Sequence, residues 1–350
     1  MKTLLALLLL APSLVAQSRP VNTYSIVARD AATGQMGVAV QSHWFAVGQI
    51  VPWAEAGVGA IATQSFVDPS YGKLGLDLLR AGKSAPETLR ALLGGDAACE
   101  VRQVGVVDAN GNVASFTGNR DIVAAGGIAA NAAGSGTSVN CGTAGGVLHV
   151  GKDFAVQANL MANDRVWPAM AKAFGEAKGD LADRMLAALE AAQAAGGDIR
   201  GKQSAALVVV NAKSTGRAWQ DKAFDLRVDD APDPLVELRR LVALQRAYNY
   251  MNAGDLAVEH KDHEAALREY SAAEKIASTT AGIPQSRLAE MVYWHAVALV
   301  NMNRVDEALP IFARAYKLEP SWRELTPRLT RAGLLPDDAA LIARIVAAGK

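Results

Sequence analysis

The sequence predicts an α+β fold followed by an all-α domain. Short β-type runs separated by turns dominate the first two thirds of the 350-residue chain, and helical patches lie between them in blocks. Beyond a stretch rich in Pro and Asp at 228–234, every segment has helical periodicity. Hairpins grouped apart from helices are typical of stacked antiparallel sheets with helices outside, whereas a doubly wound fold needs a helix between most successive strands.

Six strands are predicted from runs of apolar and β-branched residues. Residues 24–29 and 36–42 flank a turn and form one hairpin. A second hairpin pairs 101–107 with 113–117 across DANGN, where Asn-Gly accepts the positive φ values that tight turns require. The runs 58–64 and 204–211 complete the set.

Helices are predicted over 71–81, 86–93 and 166–195, the last broken near Gly179 and Asp180. In the C-terminal part, EAALREYSAAEKI at 264–276 aligns with DEALPIFARAYKL at 306–318. This pattern resembles tetratricopeptide repeats, although the offset is longer than their usual period of about 34 residues. Two interpretations remain open: a helical-repeat module that docks on the first domain, a second subunit or a peptide, and a plain stabilising helical cap.

The first sixteen residues, MKTLLALLLLAPSLVA, are typical of a secretory signal peptide with a cut after Ala16. Their apolar run is too short to span a bilayer, which takes about 20 residues; a retained anchor is the alternative. We therefore expect an exported protein, periplasmic or secreted, with no membrane span. The expected domains are 23–227 and 235–350, joined by a linker at 228–234.

Charge and cysteine content exclude several classes of function. The 35 basic and 35 acidic residues balance and are evenly spread, so a nucleic-acid partner is not expected. Cys99 and Cys141 could pair in an oxidising compartment, but the sequence does not give the distance between their Cα atoms. Their spacing, with no nearby HxxxH, argues against zinc, and neither a metal nor a cofactor is expected.

Small polar residues at strand ends form the candidate site. No GxSxG, HExxH or P-loop motif occurs, and neither His43 nor His149 has the serine context of a Ser-His-Asp triad. We expect His149 to be structural. Taken singly, each polar residue is also typical of a turn cap or a solvated ion pair. The candidate positions are Thr23, Ser25, Ser42, His43, Thr63, Gln64, Asn159, Asp198, Arg200 and Gln203.

Four stretches carry a resemblance to a known family. They are TYSIVARDAATGQMGVAVQSHWFAVGQIVPWAEAGVGAIATQSFVDPSYG, EVRQVGVVDANGNVASFTG, FAVQANLM and AGGDIRGKQSAALVVV, in order over about 23–226. They resemble a mostly bacterial family of unknown function that is assigned to the N-terminal-nucleophile (Ntn) hydrolases. The resemblance implies a four-layer αββα sandwich and hydrolysis of amide bonds. It also places Thr23 where family members carry a threonine directly after the initiator methionine.

The resemblance implies a role for each candidate residue. A free α-amine, with a reference pKa of about 7.7–8.0, can act as the base for the Thr23 hydroxyl. Asn159 is expected to donate to the oxyanion, with backbone N–H groups near Thr63 or Ser65 as alternatives. Asp198 and Arg200 are expected to orient the amine or hold a substrate carboxylate. The expected substrate-binding and supporting positions are Ser25, Ser42, His43, Thr63, Gln64 and Gln203.

Two features depart from the family pattern. A signal cut after Ala16 leaves QSRPVN, residues 17–22, as a candidate propeptide, so a second cleavage between Asn22 and Thr23 is needed. Residues 119–152 are longer and richer in Gly and Ala than the usual family link, and are expected to form an added hairpin or a lid.

Three hypotheses follow. The first is an exported Ntn-type amidohydrolase acting on a small amide or peptide-like substrate. The second is a non-catalytic envelope protein that binds a peptide or protein partner through an Ntn-like scaffold and its helical tail. The third is a hydrolase with an internal nucleophile, Ser42 or Cys141, although Cys141 is expected to be structural rather than reactive. A homodimer is compatible with all three.

Overall fold

The computed structural model describes residues 21, 23–131, 136–141 and 145–350. The predicted signal peptide and most of the candidate propeptide lie outside these ranges. The described chain has a mixed α+β architecture with two six-stranded antiparallel sheets, as the sequence predicts in outline. The strands are β1 Thr23–Arg29, β2 Met36–Ser42, β3 Pro52–Glu55, β4 Gly59–Ser65, β5 Arg102–Asp108, β6 Asn112–Gly118, β7 Gly126–Ala129, β8 Thr137–Val139, β9 Gly146–Lys152, β10 Phe154–Ala158, β11 Ser204–Val210 and β12 Lys222–Val228.

The first sheet has the strand order β12-β11-β2-β1-β10-β7, and the second has the order β3-β4-β5-β6-β9-β8. Both predicted hairpins form, β1 with β2 and β5 with β6. The structure adds strands that the sequence analysis does not predict, including the short edge strand β3 and the edge strand β12. β12 is largely exposed and carries charged residues along its length, so it lacks the apolar run on which the prediction depends.

Ten α-helices occur in the described part of the chain, and half of them follow residue 260. They are α1 Ser70–Arg80, α2 Ala85–Gly94, α3 Val166–Glu176, α4 Leu181–Ala194, α5 Pro234–Glu259, α6 His263–Thr279, α7 Gln285–Asn301, α8 Val305–Leu318, α9 Ser321–Leu325 and α10 Ala339–Ala347. The predicted break near Gly179 separates α3 from α4, where the Asp180 side chain accepts a hydrogen bond from Asp183 N and caps α4. No helix among the described residues is both long and apolar enough to cross a membrane.

Three apolar clusters hold the N-terminal part together. One packs α3, α4 and the start of α5 against β1, β10 and β11. A second packs α1 and α2 against β4, β5 and β6. The third lies between the two sheets and includes Val27, Ala62 and Val107. Helices therefore cover the outer face of each sheet, and the inner faces of both sheets meet.

Helix α5 contributes to both parts of the chain. Its first half places Leu235, Leu238 and Val242 in the cluster with β11 and β12. Its second half packs on α6 and α7, while Phe312 of α8 lies in a separate cluster of the tail. The predicted linker at 228–234 coincides with the step from β12 to α5, and the helix after it is packed against the sheet.

The Gly- and Ala-rich segment 119–152 contains β7, β8 and all of β9, so its described portions extend both sheets. Residues 132–135 and 142–144 of this segment lie outside the description. Cys99, which follows α2, is joined by a disulfide to Cys141, with their Cα atoms 5.9 Å apart. The bond occupies the Cys141 sulfur, so the predicted structural role is confirmed and Cys141 is not a free nucleophile.

Candidate functional site

The space between the two sheets is apolar at one end and polar at the other. On β1, Val27 belongs to the apolar inter-sheet cluster. Thr23 and Ser25, whose side chains point to the same face of the strand as Val27, are polar and fully buried. Strands β1, β4, β5 and β10 contribute to this polar end, and Asn159 follows β10 directly. Its fully buried side chains include Thr23, Ser25, Gln64, Gln103, Gln157 and Asn159.

Ser25 makes two short hydrogen bonds, one to Gln64 of the opposite sheet and one to Gln157 of the neighbouring strand β10. Its hydroxyl donates to Gln64 Oε1 at 2.6 Å and accepts from Gln157 Nε2 at 2.6 Å. Gln64 Nε2 in turn donates to the Thr23 carbonyl oxygen at 3.0 Å. Buried amides cost free energy unless they are hydrogen-bonded, so this network determines how the sheets align at their polar end. Ser25 and Gln64, two residues of the predicted site, are thus hydrogen-bonded to each other.

Gln103 connects Asn159 to the network. Gln103 Oε1 accepts from Gln64 Nε2 at 2.7 Å and from Asn159 Nδ2 at 2.9 Å. The Asn159 backbone N–H donates to the Thr23 carbonyl oxygen at 3.1 Å, and Asn159 Oδ1 has no hydrogen-bond partner in the described part of the chain. Asn159 therefore lies beside Thr23, with one amide hydrogen already engaged by Gln103, and its role toward an oxyanion stays a prediction.

The network depends on one glycine in β5. A Cβ atom built on Gly105 would lie 2.5 Å from Gln157 Oε1, which is closer than real Cβ contacts allow. The missing side chain leaves the room that the Gln157 amide occupies. The glycine of VGVV is thus explained by a side chain from the other sheet, about fifty residues further along the chain.

The Thr23 side chain is fully buried. Its hydroxyl lies 3.0 Å from the Val21 carbonyl oxygen and 3.1 Å from Ser42 Oγ on the neighbouring strand β2. Val21 is itself fully buried and belongs to the inter-sheet cluster. Its N–H donates to Ser65 O at 2.6 Å, and Ser65 N donates back to Val21 O at 3.0 Å. The residue two positions before Thr23 therefore occupies the space beside its hydroxyl.

Ser65 also binds a buried carboxyl group, that of Asp121. Its hydroxyl donates to Asp121 Oδ1 at 2.7 Å, and its backbone has a φ of +69°, which is uncommon for a residue other than glycine. Burial raises the pKa of Asp121 to about 7, against the opposing effect of the hydrogen bonds from Ser65 and the Gly118 backbone. Asp121 Oδ2 has no hydrogen-bond partner among the described residues.

Asp198 and Arg200 form an ion pair next to Ser42. Arg200 Nε donates to Asp198 Oδ1 at 3.0 Å and Nη2 donates to Oδ2 at 2.7 Å. Asp198 Oδ2 also accepts from the backbone N–H of His43 at 3.3 Å. This edge of the Arg200 guanidinium is thus engaged within the chain, and the roles predicted for the pair toward an amine or a substrate carboxylate stay predictions.

The remaining predicted positions are more dispersed. His43 is exposed, and Gln203 Nε2 donates to Asp230 Oδ1 at 3.1 Å, away from the network. The Thr63 hydroxyl donates to Asp68 O at 3.3 Å, and Thr63 alternates with Gln64 on β4, so the two side chains point to opposite faces. The Gln203 backbone N–H donates to Ser42 O at 3.0 Å, at the end of β2 beside Thr23.

A cavity of about 430 Å³ adjoins the polar end. The segment 121–125 forms one wall and hydrogen-bonds to the chain after β10, with Leu160 N donating to Ile122 O at 2.8 Å. Gln103 Nε2 donates to Thr117 Oγ1 at 2.9 Å, which links the cavity wall to the network. The lining residues include Thr117, Asp121, Val123, Gly126, Val147, His149 and Trp167.

Sequence reasoning missed Val21, Gln103, Asp121 and Gln157. Two of these carried a signal, because Gln103 and Gln157 are amides inside otherwise apolar strand runs, VRQVGVV and FAVQANLM. Asp121 had none, since it lies in a loop among many charged residues. Across the described ranges, no group of three or more His, Cys, Asp and Glu side chains is placed to hold a metal ion.

Comparison with known proteins identifies relatives of the first part of the chain. A family model described as "Family of unknown function (DUF1028)" matches residues 23–140 and 130–238, which together are more than half of the chain. The crystal structure of protein SPO2555 from Silicibacter pomeroyi, of the same family model, is 27% identical, with a TM-score of 0.50 over 63% of this chain and 87% of that chain. No curated protein matches. The chain therefore belongs to the DUF1028 family of unknown function.

Proposed function

We propose that this protein is an exported Ntn-type amidohydrolase that cleaves an amide bond in a small or peptide-like substrate, with Thr23 as its N-terminal nucleophile. The observation that carries the proposal is the position of Thr23. It begins a central strand of the first sheet, its hydroxyl lies 3.1 Å from Ser42 Oγ, and Asn159 lies alongside it. Two face-to-face sheets with helices on both outer faces support an αββα Ntn sandwich.

In the proposed reaction, cleavage between Asn22 and Thr23 frees the Thr23 amine. That amine takes the hydroxyl proton as Oγ1 adds to the substrate carbonyl carbon, and returns it to the departing amine. Water then hydrolyses the ester and restores Thr23. The second hydrogen of Asn159 Nδ2 is the proposed donor to the oxyanion.

The segment before Thr23 supports a zymogen. Val21 lies beside the hydroxyl and pairs with Ser65, so its removal would vacate a buried space next to the nucleophile and release the Ser65 backbone groups. We propose that residues 17–22 act as a propeptide and that export precedes their removal. The Cys99–Cys141 disulfide supports an oxidising destination, periplasmic or secreted.

The test is the N-terminus of protein purified after export, combined with two substitutions. Thr23→Ala should retain residue 22 and show no hydrolysis of aminoacyl p-nitroanilides, whereas Thr23→Ser keeps a hydroxyl and should be processed and active. Intact mass, N-terminal sequencing and a colorimetric assay give the readouts. A wild-type chain that begins at Gln17 and hydrolyses none of these amides would contradict the proposal.

A second function is favoured by the complete burial of the Thr23 hydroxyl in the unprocessed chain. In this alternative the protein is a non-catalytic envelope scaffold, and the helical pairs α5–α6 and α7–α8 form a tetratricopeptide-like tail that binds a peptide, a protein partner or a second copy. The two functions separate cleanly, because Thr23→Ala would leave partner binding by the scaffold unchanged.

A further inference from the structure

Asp121, which lines the cavity beside the polar network, has a buried carboxyl oxygen without a hydrogen-bond partner among the described residues. Asp121 is 7% exposed, and of its two oxygens only Oδ1 has a side-chain donor, the Ser65 hydroxyl. Asp121 Oδ2 is shielded from solvent and has no hydrogen-bond partner within the described ranges. Buried polar atoms are almost always paired, so an unpaired oxygen on a residue that lines the cavity suggests a ligand that the carboxyl would reach by turning toward the cavity.

The rest of the wall is suited to a cation with an apolar body. Val147 and the half-buried Trp167 line the same cavity, and the Trp167 ring packs so closely on Gly126 that a Cβ there would lie 2.6 Å from it. An indole attracts an ammonium group placed over its face. Burial lowers the pKa of His149 and so favours the neutral imidazole.

The charged groups near Asp121 have partners of their own. Arg102 is near enough to lower the pKa of Asp121, yet its guanidinium donates to Asp96 Oδ2 at 2.7 Å. Arg120, one residue before Asp121, pairs with Glu100 at 3.4 Å. No salt bridge within the described ranges involves Asp121 itself, so a cationic ligand would be its counter-ion.

We propose that this cavity is a binding site for a primary ammonium group on a small apolar molecule, with Asp121 as the counter-ion and Trp167 as the apolar and cation–π wall. Three contacts connect the site to the Thr23 hydroxyl: Ser65 donates to Asp121, Ser65 pairs with Val21, and the Val21 carbonyl oxygen lies beside the hydroxyl. Binding of the ammonium group does not depend on the proposed function. If the proposed function holds, the favoured substrate class is an amide that carries a free amine, and this consequence rests on it.

The test separates binding from catalysis by using the full chain with Thr23→Ala, which cannot turn substrate over by the proposed route. Phenethylamine is titrated into this variant at pH 8 by calorimetry, where the amine is protonated because an alkylammonium has a pKa of about 10. 2-Phenylethanol, which has the same apolar body without the charge, is the matched control ligand. We expect the amine to bind and the alcohol to bind at least about tenfold more weakly, as a buried charge pair requires.

Two further substitutions in the Thr23→Ala chain assign the site. Asp121→Asn keeps the shape of the side chain and should weaken phenethylamine binding at least about tenfold without changing the affinity for the alcohol. Trp167→Leu should weaken binding of both ligands. Circular dichroism confirms that each variant is folded.

Three results would overturn the inference: no binding of phenethylamine to the folded Thr23→Ala chain, equal affinity for amine and alcohol, or an affinity that Asp121→Asn leaves unchanged. None of these results bears on whether Thr23 is a nucleophile, because that is decided by the N-terminus and the hydrolysis assay. Conversely, amine binding that depends on Asp121 would stand even if the protein cleaves no amide.

Discussion

Val21 and Ser65 exchange both of their backbone hydrogen bonds, at 2.6 and 3.0 Å, and so join the chain before the first strand to the end of β4 in the opposite sheet. Ser65 makes this contact with a left-handed backbone, a conformation that costs a non-glycine residue about 1–2 kcal/mol. The segment that precedes Thr23 is thus built into the core. Its removal would change the fold locally as well as the N-terminus.

Val21→Ala reports whether this segment is retained in the mature protein. Val21 is fully buried, so in an uncut chain the substitution should lower the free energy of unfolding by about 1–2 kcal/mol, through lost burial and the cavity left behind. In a chain that begins at Thr23 it should have no effect. Urea denaturation of protein purified after export is the measurement.

Val27→Ala is the matched control for Val21→Ala, because Val27 lies fully buried in the same inter-sheet cluster on β1. It should be destabilising in both the cut and the uncut chain. A neutral Val21→Ala in a chain whose mass includes Val21 would contradict the packing described for that residue.

Ser25→Ala tests whether the polar network is structural. The substitution leaves Gln64 Oε1 and Gln157 Nε2 without their 2.6 Å partner, and a buried unsatisfied group costs about 1–3 kcal/mol. We expect a loss of about 2–4 kcal/mol in thermal or chemical denaturation. Ser115→Ala is the comparison, because its hydroxyl reaches Gln157 Oε1 only at 3.5 Å and its loss should cost less than about 1 kcal/mol. Equal effects of the two substitutions would argue against the network.

Asp121→Asn should change how stability depends on pH. The carboxyl has a pKa of about 7 in the folded state, well above its unfolded value of about 3.9, so between those values the native state holds a proton that the unfolded chain releases. The stability of the wild type relative to the Asn variant should therefore fall as pH rises from 4 to 7, by at most about 4 kcal/mol. Denaturation of both proteins from pH 4 to 8 measures this, and a constant difference would refute the raised pKa.

We expect the disulfide to stabilise the folded state, in addition to supporting an oxidising compartment. Cys99 and Cys141 are 42 residues apart, and the loop-entropy relation gives about 4 kcal/mol for a loop of that length. Replacing both cysteines by serine should lower the free energy of unfolding by about 2–4 kcal/mol in the absence of reductant. Wild type measured with reductant should approach the variant; a wild type that is insensitive to reductant would show that the bond contributes little.

Leu238→Ala tests the packing of the first half of α5 against the sheet. Leu238 is fully buried in the cluster with Phe224 and Val228 of β12, so we expect a loss of about 2–5 kcal/mol. Leu256, on the same helix, is 52% exposed, and its replacement by alanine should stay within about 0.5 kcal/mol. Equal, small effects of both substitutions would mean that the tail helices are independent of the sheet.

Much of the secondary structure follows from local pattern. The strand β1 follows from a run rich in β-branched and aromatic residues before the turn at Asp30, and the β5–β6 hairpin follows from Asn110 and Gly111, where a tight turn needs a positive φ. The α3–α4 break follows from Gly179 and the Asp180 cap. The edge strand β12 was not predicted, because charged residues interrupt its apolar positions, and its order depends on pairing with β11 and on packing against α5.

The sequence by itself determined the α+β class, the change to helices after residue 228, and the placement of polar residues at the ends of β1, β2 and β4. These depend on the periodicity and turn chemistry of neighbouring residues, which a linear pattern records. Only the tertiary structure decided that Gln64, Gln103 and Gln157 meet, that Val21 covers Thr23, and that Asp121 reaches Ser65. Apart from Val21 and Thr23, the residues in these contacts lie far apart in the chain, and the free energy of burying an amide or a carboxyl depends on partners that the local sequence does not name.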